Sequence, residues 1–93
     1  MTETIETRRK RLYMRSIRRG IKEMDVILTA FAGERLSEMD EAGLDAYEAL
    51  IAEQDLDLYP WINGQEAPPA EHQAMVNEIR SQFNEVVERN GSA

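Results

Sequence analysis

The sequence predicts a small all-α bundle, and three observations support that fold class. Apolar residues recur every three or four positions in several segments, as they do along the buried face of a helix. No segment alternates apolar and polar residues like a strand, and glycines and prolines fall mainly between the periodic segments. The 93 residues suit one core. We therefore expect a single helical domain over 1–93, with an ordered core at about 6–89 and frayed termini.

The first third of the chain predicts either one bent helix or two helices across residues 6–32. Residues 6–15 would form a short, strongly basic helix. An apolar stripe follows at helical spacing, made up of Ile17, Ile21, Met24, Leu28 and Phe31. Ser16 can cap a second helix, whereas Gly20 can loosen the joint in a bent one. Periodicity does not decide between the two, and Gly33 is expected to end the segment.

Two shorter helices are predicted in the middle of the chain. Ser37 is a plausible N-cap for the first of them, which should end near Glu53. Its buried side would be formed by Leu44, Tyr47, Leu50 and Ile51. The second occupies 55–62, where Asp55 or Asp57 can act as the cap and the first turn would accept Pro60.

The last helix follows a turn at Asn63-Gly64 and a rigid approach through Pro68 and Pro69. Its apolar stripe consists of Met75 or Val76, then Ile79, Phe83, and Val86 or Val87. Asn90-Gly91 is expected to end it.

Composition excludes several kinds of chemistry. The chain has no cysteine, which removes disulfides, thiolate metal sites and cysteine nucleophiles, and His72 is its one histidine. Its five glycines are scattered and match no dinucleotide or phosphate loop. We therefore predict no catalytic residue, no metal site and no cofactor bound by the chain itself. No apolar run approaches the roughly 20 residues that cross a bilayer, so we expect a cytoplasmic protein without membrane insertion.

Charge is divided unevenly along the chain. The net charge is −7, yet residues 1–22 hold eight of the eleven Lys and Arg and two of the eighteen acids, which makes that segment +6 and the remainder −13. An acidic body repels phosphates, so a basic tract on it is poorly suited to wrapping nucleic acid. The basic run from Arg8 to Lys22 leaves three interpretations open: a solvated helix face, a nucleic-acid contact, or a protein docking surface.

Three segments together resemble the SdhE family of succinate dehydrogenase assembly factors, which are also FAD assembly factors. They are RLYMRSIRRGIKEMD at 11–25, DLDLYPWI at 55–62, and a glycine and a proline before a terminal helix. The family's Arg-Gly-x-x-Glu signature is matched by Arg19, Gly20 and Glu23. The order and spacing of these segments extend the similarity over about residues 9–87.

The resemblance implies a compact five-helix domain that binds the flavoprotein subunit of succinate dehydrogenase, and in some bacteria that of fumarate reductase. It also implies that the domain promotes covalent attachment of FAD to a histidine of this client. The chemistry would then belong to the client and its FAD, so the chain would be an assembly factor and not an enzyme. We expect a monomer in the bacterial cytoplasm. The alternative function is that of an antitoxin-like or nucleic-acid-binding small helical regulatory protein.

The resemblance further implies a client-binding surface around the signature residues. We add three neighbouring or aromatic candidates to it: Arg18, Asp25 and Trp61. Gly20 would let the client approach the helix closely, while Arg19 and Glu23, four residues apart, would share one helix face and offer a donor and an acceptor. Trp61 has a second interpretation, because a large ring in a small bundle is most often a core residue.

Overall fold

Five α-helices form the protein in a computed structural model that describes residues 3–91, with side chains as far as residue 84. The helices are α1 (Ile5–Ser16), α2 (Lys22–Arg35), α3 (Glu41–Ile51), α4 (Asp55–Asn63) and α5 (Gln73–Gly91). Two 3₁₀ turns, Leu36–Glu38 and Ala70–His72, precede α3 and α5. The all-α, five-helix prediction is therefore confirmed, and none of the helices within residues 3–91 combines the length and apolarity needed to cross a membrane.

The helices share one core in which α2 packs against α1 and α5, while α3 packs against α1 and α4 packs against α5. The predicted buried face of α3 is confirmed, since all four of its apolar residues are buried. Tyr47 meets Phe31 of α2 in this core, with ring centroids 5.6 Å apart. Burying large side chains of this kind contributes about 2 kcal/mol each, so the buried rings of Phe31 and Tyr47 both stabilise the core.

Two separate helices, and not one bent helix, cover residues 6–32. Thr4 caps α1 by accepting a hydrogen bond from the backbone N–H of Thr7 at 3.1 Å. The prediction that Ser16 caps a second helix is wrong, because its hydroxyl is buried inside the core and donates back to the carbonyl of Leu12 at 2.8 Å. The Ser16 Oγ also lies 2.6 Å from the hydroxyl of Tyr47. Ser16 is thus the last residue of α1, and it ties that helix to α3.

Two boundary predictions in the next segment are also wrong. α2 continues through Gly33 to Arg35, and no positive φ occurs at Gly33. Ser37 lies within the first 3₁₀ turn, and Asp40 caps α3 instead by accepting from the N–H of Gly43 at 2.9 Å. Asp40 has the extended backbone that an N-cap requires, whereas Ser37 is already inside a turn. α3 ends at Ile51, two residues before the predicted end.

The helix over 55–62 is confirmed, but its predicted start is not. Gln54 is the N-cap of α4 and makes no side-chain cap hydrogen bond, while Asp55 is the first residue of the helix and accepts from Arg19. Pro60 lies inside the helix and beyond its first turn. The donor that Pro60 lacks would have bonded Leu56 at the exposed surface, where water can replace it. The predicted turn after α4 is confirmed, since Gly64 has a φ of 88°, a value that favours glycine.

The last helix follows the predicted apolar stripe as far as Ile79 and departs from it at Phe83. Met75, Val76 and Ile79 are buried, whereas Phe83 is 38% exposed. The stripe positions Val86 and Val87 lie outside the residues whose side chains are described. Trp61 is buried as a core residue should be, and its ring centroid lies 5.9 Å from that of His72.

Candidate functional site

The signature begins in the short link between α1 and α2, residues 17–21. α1 closes with the N–H of Ile17 donating to the carbonyl of Tyr13 at 3.2 Å. Ile21 then has an extended backbone, and α2 starts at the following residue. The link therefore places the Arg and Gly of the signature outside any helix, while Glu23 belongs to the first turn of α2.

Arg19 is held on the inner side of this link by three contacts to distant parts of the chain. Its Nε donates to Asp55 Oδ1 at 2.7 Å, and the two side chains are 10% and 12% exposed. Its Nη1 and Nη2 donate to the carbonyls of Ile51 at 3.0 Å and Glu53 at 3.1 Å. Carbonyls at the end of a helix have no intrahelical partner, so Arg19 supplies both hydrogen bonds and positive charge where α3 ends.

Gly20 is fixed by the same carboxylate. Its N–H donates to Asp55 Oδ2 at 2.6 Å, so Asp55 binds two consecutive signature residues with its two oxygens. A Cβ at position 20 would lie 3.3 Å from Asp55 Oδ2, closer than most real contacts of a Cβ. Gly20 has no positive φ, so the close approach of Asp55 is its intramolecular requirement. The residue is nonetheless exposed to solvent.

Asp25 holds the link in place from the side of α2. Its Oδ1 accepts a short hydrogen bond from the backbone N–H of Arg19, and its own N–H donates to the carbonyl of Ile21 at 3.1 Å. Asp25 is half-buried in the first turn of α2. Carboxylates on both sides thus hold the backbone of the link in one position.

Glu23 and Arg18 differ from these residues because both are exposed. Within residues 3–84, neither side chain has a hydrogen bond or an ion pair. A recess of about 310 Å³ adjoins Glu23 and includes Val26, Tyr59 and Phe83. Val26 is 61% exposed and lies three residues after Glu23, so the two share one face of α2. The carboxylate of Glu23 therefore lies next to the exposed apolar side chain of Val26.

The structure thus divides the six predicted contact residues. Arg18, Gly20 and Glu23 are exposed, whereas Arg19 and Asp25 form internal contacts and Trp61 is in the core. Arg19 and Glu23 do not share a helix face as predicted, because Arg19 precedes α2 and its guanidinium donates hydrogen bonds to α3 and α4.

Sequence reasoning also missed Asp55, the residue that organises the link. It was identified as one of two possible caps of α4, a role that the side chain does not have. The sequence gives only a weak indication of this role. Two acids, Asp55 and Asp57, lie in the first turn of α4, and one of them is enough to favour the start of a short helix. Its pairing with Arg19 spans 36 residues of sequence, which no local pattern reveals.

The basic run on α1 is largely paired with acids of α3 and the N-terminal segment. Arg8 and Arg11 both reach Glu48, at 3.0 Å each, and Arg8 also pairs with Asp45 while Arg11 pairs with Glu3 at 2.9 Å. Hydrogen bonds from Arg11 and then from Arg8 hold the pKa of the Glu48 carboxyl below its usual value. Four cations of the run from Arg8 to Lys22 therefore have ion pairs within the fold, since Arg15 also lies 3.9 Å from Glu48 and Arg19 pairs with Asp55.

The described residues contain no group of three or more acids or histidines arranged to hold a metal ion. Fold and surface together define a small helical domain in which hydrogen bonds hold the α1–α2 link from inside, while Arg18 and Gly20 of that link are exposed. The chain belongs to the Sdh5 family, described as flavinator of succinate dehydrogenase, whose family model matches residues 10–83. That match contains the whole Arg-Gly-x-x-Glu signature.

Similar proteins from fungi agree with the family assignment, and each is named succinate dehydrogenase assembly factor 2, mitochondrial. The Scheffersomyces stipitis protein is 48% identical over 59 residues, covering 63% of this chain and 40% of the relative. The Candida glabrata protein is 42% identical over 62 residues, covering 67% of this chain and 40% of the relative. The chain therefore spans about two fifths of the length of the relatives it matches.

Proposed function

We propose that this chain binds the flavoprotein subunit of succinate dehydrogenase and promotes the covalent attachment of FAD to it. The observation that carries the proposal is the family match over residues 10–83, because it includes both the signature and Asp55, which holds the signature in place. The fumarate reductase flavoprotein is a second client of the same kind. The cytoplasmic location expected from the sequence remains a prediction, and the fungal relatives are named as mitochondrial.

The proposed contact surface consists of the exposed part of the signature and its neighbours: Arg18, Gly20, Glu23 and Val26. Glu23 would accept hydrogen bonds from the client, and the exposed methyl groups of Val26 would bury apolar surface beside that contact. Arg19, Asp25 and Asp55 would act indirectly by fixing the link. A loop held in one conformation loses little entropy on binding, so this internal pinning favours affinity.

The proposed mechanism is positional. Bound at this surface, the chain would stabilise the client conformation in which the acceptor histidine is aligned with the flavin, since alignment of reacting groups lowers the barrier of a reaction. Covalent bond formation would then take place between client groups, and this chain would bind no FAD of its own. The pairing of Arg8 and Arg11 with carboxylates disfavours the alternative nucleic-acid function.

Glu23→Gln is the sharpest test of this surface, because it removes a charge from an exposed side chain that has no described partner. Binding of the purified flavoprotein subunit should weaken by about tenfold or more, in line with the loss of a charged hydrogen bond. Covalent flavin on the client, measured by fluorescence in denaturing gels, should fall with it. Gly20→Arg should abolish both, although its added side chain also displaces Asp55.

Glu41→Gln is the matched control, since Glu41 is likewise an exposed acid in the first turn of a helix. It should leave binding and covalent flavin unchanged. Wild-type levels of both in the Glu23→Gln protein would refute the proposed surface, and failure of the wild-type chain to bind the flavoprotein would refute the function itself.

A further inference from the structure

A second surface feature lies apart from the signature. A groove of about 630 Å³ runs between α1 and the end of α2. Its lining includes Arg9, Lys10, Tyr13, Met14, Gly33 and Ser37. The link that carries the signature joins the end of α1 to the start of α2, whereas this groove adjoins the end of α2. The two surfaces therefore share no lining residue.

Gly33 has no intramolecular reason to be glycine. It lies inside α2 with a negative φ, and a Cβ placed on it would meet nothing within 4 Å. The other glycines within residues 3–84 differ, because a Cβ at Gly20 or Gly43 would crowd a neighbour and Gly64 has a positive φ. Glycine weakens a helix interior relative to alanine. A glycine that weakens its helix and faces open space suits the close approach of another chain.

The walls of the groove combine exposed apolar surface with positive charge. Met14 is 51% exposed and Tyr13 is 36% exposed. Arg9 and Lys10 form no ion pair within the described part of the chain, in contrast to Arg8 and Arg11 on the same helix. Arg9 donates from Nη2 to the carbonyl of Met39 at 2.7 Å, but its buried Nε has no hydrogen-bond partner.

We propose that this groove docks an acidic segment of the flavoprotein, with an apolar side chain over Gly33 and a carboxylate facing Arg9 and Lys10. The inference rests on the proposed function for the identity of the partner. A carboxylate would supply the negatively charged partner that neither cation has within the described part of the chain. The apolar contacts with Met14 and Tyr13 favour a peptide over a nucleic-acid backbone, whose phosphates need no such surface.

Two substitutions of Gly33 separate its effect on stability from its effect on binding. Gly33→Ala should raise Tm by about 4 °C because alanine favours the helix. Gly33→Leu should retain the fold and weaken flavoprotein binding by about tenfold or more, since its side chain fills the floor of the groove. Ala42→Leu is the matched control on an exposed position of α3, and it should leave the affinity unchanged.

Single cysteines can locate the contact, because the chain has none of its own. Ser37→Cys places a thiol at the groove, and Ser81→Cys places one at an exposed position of α5 outside it. In the complex, isolated by co-elution with the flavoprotein, maleimide labelling should slow at position 37 by tenfold or more and stay unchanged at position 81.

Three other outcomes would overturn the proposal in distinguishable ways. If the flavoprotein co-elutes while position 37 is labelled at its free rate and Gly33→Leu binds normally, the groove is refuted and the proposed function stands. If neither the wild-type protein nor any variant co-elutes with the flavoprotein, the proposed function is refuted, and the flavoprotein is refuted as the occupant of the groove. If protection at position 37 appears without flavoprotein and rises with protein concentration, the occupant is a second copy of the chain.

Discussion

Arg19 Nε lies 2.7 Å from Asp55 Oδ1, while the other oxygen of that carboxylate accepts the N–H of Gly20 at 2.6 Å. One acid of α4 therefore holds the first two residues of the family signature. Because the side chains of this ion pair are 10% and 12% exposed, the pair is shielded from solvent. The Arg and Gly of the signature thus make contacts inside the domain, whereas the side chain of Glu23 is exposed and forms no hydrogen bond or ion pair within residues 3–84.

Asp55→Ala should destabilise the protein by about 3 kcal/mol, because removing one partner of a buried ion pair leaves the other charge unpaired. The change also removes the acceptor of the Gly20 N–H. Urea unfolding followed by the fluorescence of Trp61, the single and buried tryptophan, measures the loss directly. The same variant should bind the flavoprotein more weakly, since the link is no longer held.

Asp57→Ala is the control for this prediction. Asp57 also lies in the first turn of α4, but it is exposed, so its loss should cost less than about 1 kcal/mol through the helix dipole. Equal destabilisation by the two substitutions would show that the contact with Arg19 has no special importance.

Gly20→Ala should destabilise the protein by about 1 kcal/mol, as small increases of volume in a packed site do. The added Cβ would lie 3.3 Å from Asp55 Oδ2, and that oxygen cannot retreat freely while Arg19 holds its carboxylate. The cost should disappear when the same change is made in the Asp55→Ala protein, which a double-mutant cycle measures by urea unfolding. A cost that persists without Asp55 would mean that the backbone at position 20 rejects a side chain for another reason.

The buried faces of the helices could be predicted from the sequence because burial follows helical periodicity. The apolar residues of α3 and the start of the α5 stripe were identified correctly for this reason. Helix boundaries were less predictable, since Ser37 and Asp40 are both good caps by residue type and the choice depends on the 3₁₀ turn between them. Gly33 likewise carries a stop signal that the packing of α2 overrides.

The candidate site was located by the signature, but its internal geometry could not be predicted. The family resemblance implied that Arg19 faces a partner, whereas its side-chain contacts are with residues 51, 53 and 55, which only the tertiary fold brings near. The exposed position of Glu23 agrees with a contact role, which remains a prediction. Ser16 shows the same limit, because its bond to Tyr47 requires α3 to pack on α1.

Glu48→Gln should lower the free energy of unfolding at pH 7 by about 0.5 kcal/mol, a value reduced for solvent screening of this half-exposed group. Arg11 and Arg8 lower the pKa of Glu48 in the folded state. The stabilisation is therefore present above the pKa of the unfolded chain and is lost as the pH falls through the lower folded value. Urea midpoints of wild type and variant should converge as the pH falls through that lower value.

Glu78→Gln removes a comparable exposed acid that has no described partner, and it provides the control. Its midpoint should track that of the wild type at every pH. A gap between Glu48→Gln and wild type that stays constant from pH 7 to pH 3 would exclude the ion pairs as its cause.

Tyr47→Phe should weaken the fold by about 1 kcal/mol at pH 8, because it removes the hydrogen bond to Ser16. Burial raises the pKa of Tyr47 to about 12, whereas tyrosine in the unfolded chain has a pKa of about 10. The free energy of unfolding of the wild type therefore keeps the contribution of the neutral hydroxyl below pH 10 and loses it as the pH rises towards 12. Phenylalanine cannot ionise, so urea midpoints of the variant should fall less over this range.

Tyr13→Phe, at a partly exposed position, is the control and should keep the wild-type dependence of the urea midpoint on pH. Parallel alkaline profiles of Tyr47→Phe and wild type would contradict a buried, neutral Tyr47 hydroxyl.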